Sequence, residues 1–245
     1  MWALSLLPVF LVVGLLVFRF TGAALTERES MMACQAELAE GLLKAGDTLE
    51  KLLKLNRPIR LAKVMRGTGA AMAAYGALTL NPALVLQGQQ LVARAEKILK
   101  TLRMTQTGLV EMGRTQLILA RFQAREALNK AWRDQNLNQS KALQTVQGQS
   151  WFLDPPRLAV RPTNPKDPYP EYELEPDFSK RQTQSLFWKV SYQATREVQS
   201  WTKMKWTQPQ NCQVTLIERQ KNSQTFQVRL SEVKLFSKFW SSRSF

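Results

Sequence analysis

Hydrophobic positions along this chain repeat in different ways from one end to the other. Residues 2–18, WALSLLPVFLVVGLLVF, are uncharged and almost wholly apolar; Arg19 ends the run and residues 20–25 continue it weakly. A helix needs roughly 17 to 25 apolar residues to cross a hydrocarbon core of about 30 Å. A lone segment in lipid satisfies its backbone only as a helix. Residues 1–25 are therefore predicted to be a transmembrane anchor, with Trp2, Leu6, Pro8, Phe10, Leu15 and Phe18 as its membrane residues. Pro8 falls in the first turns, where a missing amide matters least. Two readings compete. A cleaved signal peptide would carry a basic region ahead of the run, and none precedes it here, although Gly22, Ala23 and Ala24 would serve as a cleavage site. A soluble core helix of this length would show a polar face.

Beyond the run the period becomes helical. Cys34, Leu38, Leu42, Ala45, Leu49 and Leu52 recur at steps of three and four, while Glu37, Glu40, Lys44, Glu50 and Lys51 fall elsewhere. This helix is expected to end near Asn56, because Pro58 biases Arg57 away from helical geometry. Residues 67–93 carry no charge. They predict a small-residue helix packed closely on a neighbour, with Gly69, Ala73 and Ala77 four apart and a turn at Asn81-Pro82. A second membrane pass over 67–88 is the alternative. From Pro82 to about residue 147 a long amphipathic seam follows, as Leu91, Ala95, Ile98, Leu102, Leu109 and Met112, with Thr105 polar. It then slips by about one residue and resumes as Leu117, Ala120, Ala124, Leu128 and Ala131. The face from Cys34 to Leu52 is its natural partner in an antiparallel hairpin, and self-association would bury the same seam.

Seven of the eleven prolines lie within residues 154–176. That density disfavours helix and central strand, so residues 151–177 are predicted to be an extended linker between two folded units. Glu171, Glu173, Glu175 and Asp177 form its acidic end, expected to be solvated, since surface ion pairs contribute little. In the last third the period becomes two: Trp188, Val190, Tyr192 and Ala194; Val214 and Leu216; Phe226, Val228 and Leu230. Residues 178–245 thus predict a small basic antiparallel sheet, with 201–206 as a bridging helix or strand. So small a unit needs a helix or another subunit to rest on. The fold class is α+β, divided into an anchor (1–25), a helical hairpin (26–150), a linker (151–177) and a sheet (178–245).

Composition narrows the chemistry. A formal charge of +15 draws a chain toward phosphate, anionic lipid or acidic partners. Histidine is absent, which removes triads that use it and the commonest neutral metal ligand. Two cysteines, Cys34 and Cys212, do not make a thiolate zinc cage. They are expected as two separate, half-buried thiols, with a disulfide between them conceivable. No phosphate-cradling glycine loop, nucleophile elbow or paired-carboxylate motif stands out, so no enzyme activity and no cofactor are expected. The suggestive residues are basic-aromatic: FWK at 187–189, WTKMKW at 201–206 and KFWSSR at 238–243. They offer Trp188, Lys189, Trp201, Lys203, Lys205, Trp206, Lys238 and Trp240 as polymer or interface contacts. The same rings are equally expected as sheet core or at a membrane interface.

Residues 3 to about 41 resemble the N-terminus of TadE/TadG-like pseudopilins of tight-adherence (Flp-type) pili. The likeness lies in ALSLLPVFLVVG, Arg19, Ala23, Ala24, Leu25, Arg28 and the alanine-rich helix up to Gly41. It implies one helix retained in the inner membrane and a body on the periplasmic side, whereas the distribution of Lys and Arg alone would place the body in the cytoplasm. The expected function is a non-enzymatic, bitopic pilin-like or envelope-assembly component. Its partners would be the bilayer and proteins, or further copies, along the helical seam. The alternative is a membrane-tethered module that binds nucleic acid or anionic polymer through its tail.

Overall fold

The computed structural model describes the backbone of residues 2–138, 143–194, 205–219 and 225–230, and the side chains of 28–134, 148–191, 210–219 and 225–230. Helices α1 (Trp2–Lys54), α2 (Asn56–Leu78) and α3 (Pro82–Asn138) are followed by strands β1 (Leu143–Phe152), β2 (Val160–Pro162) and β3 (Tyr172–Leu174). A short helix α4 (Phe178–Arg181) then leads to β4 (Thr183–Ala194), β5 (Lys205–Glu218) and β6 (Phe226–Leu230). The fold is α+β, a long helical hairpin with a small antiparallel sheet laid on it. Among the described residues no helix is long and apolar enough to cross a membrane. The backbone of residues 2–25 is helical, and the side chains of that expected anchor lie outside the described residues.

The hairpin forms as the periodicity predicts. The long helix α3 runs back along both α1 and α2, turning at Thr79, Leu80 and Asn81 before Pro82 takes the first helical position. Asn81 caps α3, its Oδ1 accepting from the amides of Ala83 and Leu84 at 3.2 and 3.3 Å. Residues 67–88, the alternative second pass, are instead the far arm of this hairpin, with Gly69 and Gly76 buried against α3. Between α1 and α2 the chain barely deviates. Leu55 keeps near-helical angles, and its amide bonds Leu52 O at 3.2 Å.

Cys34, Leu38, Leu42, Ala45, Leu49 and Leu52 are fully buried, as expected. Their neighbours on α3 include Leu117, Ala124 and Leu128, and Gly41 lets α1 approach until a side chain there would collide with Ala120. Earlier in α3 Ala95 is buried as expected, and beyond it the fully buried positions lie one residue from their expected place. Leu99, Gln106 and Gly113 are buried, while Ile98, Thr105 and Met112 are exposed. Gly113 accepts the side chain of Leu158 from the proline-rich segment, and Gln106 Nε2 donates to Pro170 O at 3.0 Å. The segment that covers α3 here therefore selects a glycine and an amide, which an apolar period cannot register.

Two boundaries move. The helix ends at Asn138, and β1, expected as the end of that helix, pairs antiparallel with β4 over Leu143–Ala194 to Phe152–Leu186. Gly148 gives room for the ring of Trp132 of α3, which lies where a side chain at 148 would stand. Residues 151–177 do not form a linker between two units. They carry the β2–β3 hairpin, bury Leu158 and Ala159 in the same core as α1, α3 and the sheet, and strap the junction of the three helices. Proline blocks regular hydrogen bonding, not packing, so a proline-dense segment covers apolar surface well when its carbonyls find donors.

The main sheet has the order β1-β4-β5-β6, with every pair antiparallel. Leu186, Trp188 and Val190 of β4 and Cys212, Val214 and Leu216 of β5 face the helices and complete the core. Gly46 of α1 brings the helix against Leu216 and Phe226, so the sheet rests on the hairpin as its small size requires. The two cysteines are not separate thiols. Cys34 of α1 and Cys212 of β5 form a disulfide, with Cα atoms 6.4 Å apart, within the usual span of such bonds. The bond ties helix layer to sheet layer across 178 residues of chain.

Closing so long a loop restricts the unfolded chain strongly. Replacing both cysteines by alanine is predicted to lower unfolding stability by about 2–4 kcal/mol, read from urea denaturation without reductant. Two thiols open to alkylation once the unreduced protein is unfolded in urea would contradict the assignment.

Candidate functional site

Strand geometry divides the FWK motif. Trp188 points into the core, 1% exposed, and its ring is unavailable for stacking on a ligand. Phe187 and Lys189 lie on the opposite, outer face. There Phe187 stacks on Trp151, its register partner on β1, with centroids 6.4 Å apart and planes 18° from parallel. Trp151 remains 41% exposed and Lys189 pairs with Gln149, the next pair on the same face. The sheet thus presents an aromatic-basic patch along its β1 edge. Trp151 went unnoticed because it opens the expected linker, and the strand residues before it read as the tail of a helix. Lys205 and Trp206 belong to β5, in register with Gln193 and Tyr192, and their side chains are outside those described. Trp201, Lys203, Lys238 and Trp240 lie outside the described residues altogether.

Polar order concentrates at the strap. Asn56, at the α1–α2 junction, donates from Nδ2 to Tyr172 O at 2.7 Å and accepts from Tyr172 N at 2.9 Å, acting as a strand partner for β3. Around it Arg60 meets Glu171 at 2.7 Å and Lys63 meets Asp167 at 2.5 Å, while Arg103 donates to the Tyr172 hydroxyl at 3.1 Å. Glu173 pairs with Arg161, and Glu175 with Arg181. Three of the four carboxylates expected to be solvated, Glu171, Glu173 and Glu175, are therefore engaged with cations of α2, the strap and α4, while Asp177 is exposed as expected. Burial pushes the Asp167 carboxyl up, but the Lys63 hydrogen bond, the Tyr169 amide and the charges of Lys63 and Arg66 outweigh it and hold the group below its usual value.

On the sheet side of α3, Arg121 lies half-buried. Burial lowers its pKa, opposed by the charge of Asp154. Its guanidinium sits 4.7 Å above the Phe152 ring, and Nε donates to Gln184 Oε1 at 2.6 Å. These contacts join α3, β1 and β4, a structural bond and not a reactive one. No group of three His, Cys, Asp or Glu suited to a metal occurs among the described residues. An open depression of about 410 Å³ lined by Ser179, Thr215, Ile217, Glu218 and Arg229 offers a shallow polar surface. The ion pairs around the strap hold segments of the chain together.

A carboxyl held below its unfolded value stabilises the fold above the unfolded pKa of about 3.9, and that contribution is lost as pH falls through the folded value. Asp167→Asn is predicted to cost roughly 0.5–1 kcal/mol at pH 7 and to flatten the loss of stability between pH 5 and pH 3. Urea midpoints at both ends of that range check it; parallel pH profiles for the two proteins would contradict it.

Comparison with models of protein families, with curated proteins and with solved structures finds no match for this chain.

Proposed function

We propose that the protein is a membrane-anchored, non-enzymatic structural component of a bacterial envelope, of pilin-like or assembly type, with its body on the periplasmic side of the inner membrane. The observation that carries this reading is the continuity of α1. The uncharged run of residues 2–18 belongs to the same unbroken helix whose residues 34–53 fill the core. A bilayer holding that run would hold the whole body rigidly, with no flexible tether between them. The buried Cys34–Cys212 bond supports an exported body, because such bonds form and persist in oxidising compartments. Contact with protein partners or other copies would then use the exposed surfaces of the hairpin and the Trp151–Phe187 patch.

Deleting residues 1–25 tests the anchor and leaves every core residue in place, since the described core begins at Cys34. The full chain is predicted to stay with membranes through an alkaline carbonate wash, and the deleted form to be released by it with unchanged helical circular dichroism. Retention of a folded, deleted form through the wash would contradict the proposal.

A further inference from the structure

The outer end of the α2–α3 arm extends beyond the strap, where α2 contacts little but α3. Residues 67–93 of this arm are uncharged. Its two helices meet through their backbones: Gly69 lies against Gly88, Gly88 against Ala73, and Gly76 against Leu84 and Val85. Approach this close leaves almost no interior for large side chains, which are turned outward instead. Leu78 and Leu80 at the apex are 84% and 89% exposed, and Tyr75 and Leu86 flank them, also exposed. Leu80 holds φ 51°, a left-handed conformation that favours glycine or asparagine. The amides of Leu80 and Asn81 bond Ala77 O at 3.3 Å and Gly76 O at 2.8 Å, which closes the end of α2 and offsets the conformation, but no described residue covers the side chain.

The charge pattern identifies what does. The contact of Gly69 with Leu91 and Val92 places Arg66 and Arg94 at about the same height on the two helices. With Lys97 one turn below, they outnumber Glu96, the one carboxylate of residues 66–97, and form a collar of net positive charge beneath the uncharged tip. From apex outward the arm reads apolar over 73–86 but for Thr79 and Asn81, whose side chains bond the backbone of the turn, then uncharged polar through Thr68, Gln87, Gln89 and Gln90, then net cationic. That order matches the succession of acyl chains, interface and anionic phosphates at a membrane surface. The apolar stretch is about 10 Å deep at the helical rise, comparable to the roughly 5–10 Å to which interfacial segments sink.

We propose that the tip of the α2–α3 arm inserts into one leaflet of an anionic lipid bilayer, with Leu78 and Leu80 among the acyl chains and Arg66, Arg94 and Lys97 on the headgroup phosphates. The proposal stands on residues 66–97 and does not depend on residues 2–25 spanning a bilayer. If they do, the tip lies about 80 Å away by helical rise from residue 25 and meets a different membrane surface.

Because both native cysteines are paired, a cysteine introduced into the full chain can be labelled selectively. Leu80→Cys and, below the collar, Met104→Cys would each carry an environment-sensitive fluorophore. The protein is held in phosphatidylcholine nanodiscs, or free in solution if it does not enter them, which reports on the anchor separately. Vesicles of phosphatidylglycerol and phosphatidylcholine with doxyl-labelled acyl chains are then added. The label at position 80 is expected to shift to the blue and be quenched, the label at 104 to do neither, and the triple variant Arg66→Gln, Arg94→Gln, Lys97→Gln to bind on the order of a hundredfold more weakly. No quenching at position 80 would overturn the proposal, as would a blue shift that needs no vesicles and grows with protein concentration, the mark of tip-to-tip contact between copies. Binding that the triple variant leaves unchanged would overturn the role of the collar.

Discussion

The apolar seam of α3 has to be covered along almost its entire length, and the rest of the molecule is arranged to do so. A helix of 57 residues is far too long to bury its seam against one neighbour of ordinary size. Three parts of the chain share the task. Leu117, Ala124 and Leu128 meet the core face of α1, Gln106 and Gly113 meet the proline-rich strap, and Leu99 meets Ile59 and Ala62 of α2. The sheet then closes the remaining side where α1 and α3 leave apolar surface in common. A fold with so much apolar surface on one continuous helix has a single register, because a slip of one residue would expose half of the seam.

The same constraint gives the molecule its stiffness. The helices α1 and α2 lie end to end through a near-helical Leu55 and are both packed on α3, and the junction is braced from outside. Asn56 pairs with the backbone of Tyr172, and Arg60 and Lys63 reach Glu171 and Asp167 across it. Single exposed ion pairs contribute little. Here they accompany the two hydrogen bonds of the Asn56 side chain to the backbone of Tyr172 and a buried Pro170, so the strap holds as a unit. At the other end the Cys34–Cys212 bond fixes the sheet to α1. The result is a rod with a sheet on its flank, a shape suited to holding two places apart.

Much of this was legible in the sequence. Steps of three and four from Cys34 to Leu52 marked a face that is fully buried, the Asn81-Pro82 turn fell where local chemistry placed it, and period two in the last third gave β4, β5 and β6. What escaped has physical reasons. In mid-α3 the core positions are Gln106 and Gly113, chosen by a carbonyl and a leucine of the proline-rich strap far downstream, and no apolar period records such partners. Strand β1 is made by its pairing with β4, since LQTVQGQSWF has no strong preference of its own. Proline density in residues 151–177 announced irregular backbone and was silent on whether that backbone was packed. Cysteine pairing depends on distance in space, which two widely separated positions do not reveal. Within FWK, the alternation of a strand decides that Trp188 belongs to the core and its neighbours to the surface.

The account rests on α1 and α2 forming one stiff shaft along α3. Spin labels at Ala36→Cys and Ala74→Cys, two exposed positions of the full chain, measure it by pulsed electron paramagnetic resonance. The shaft predicts one narrow distance distribution near 55 Å, from about 1.5 Å of rise per residue. A broad distribution, or one centred below about 40 Å, would mean that the arm folds at Leu55, and would contradict it.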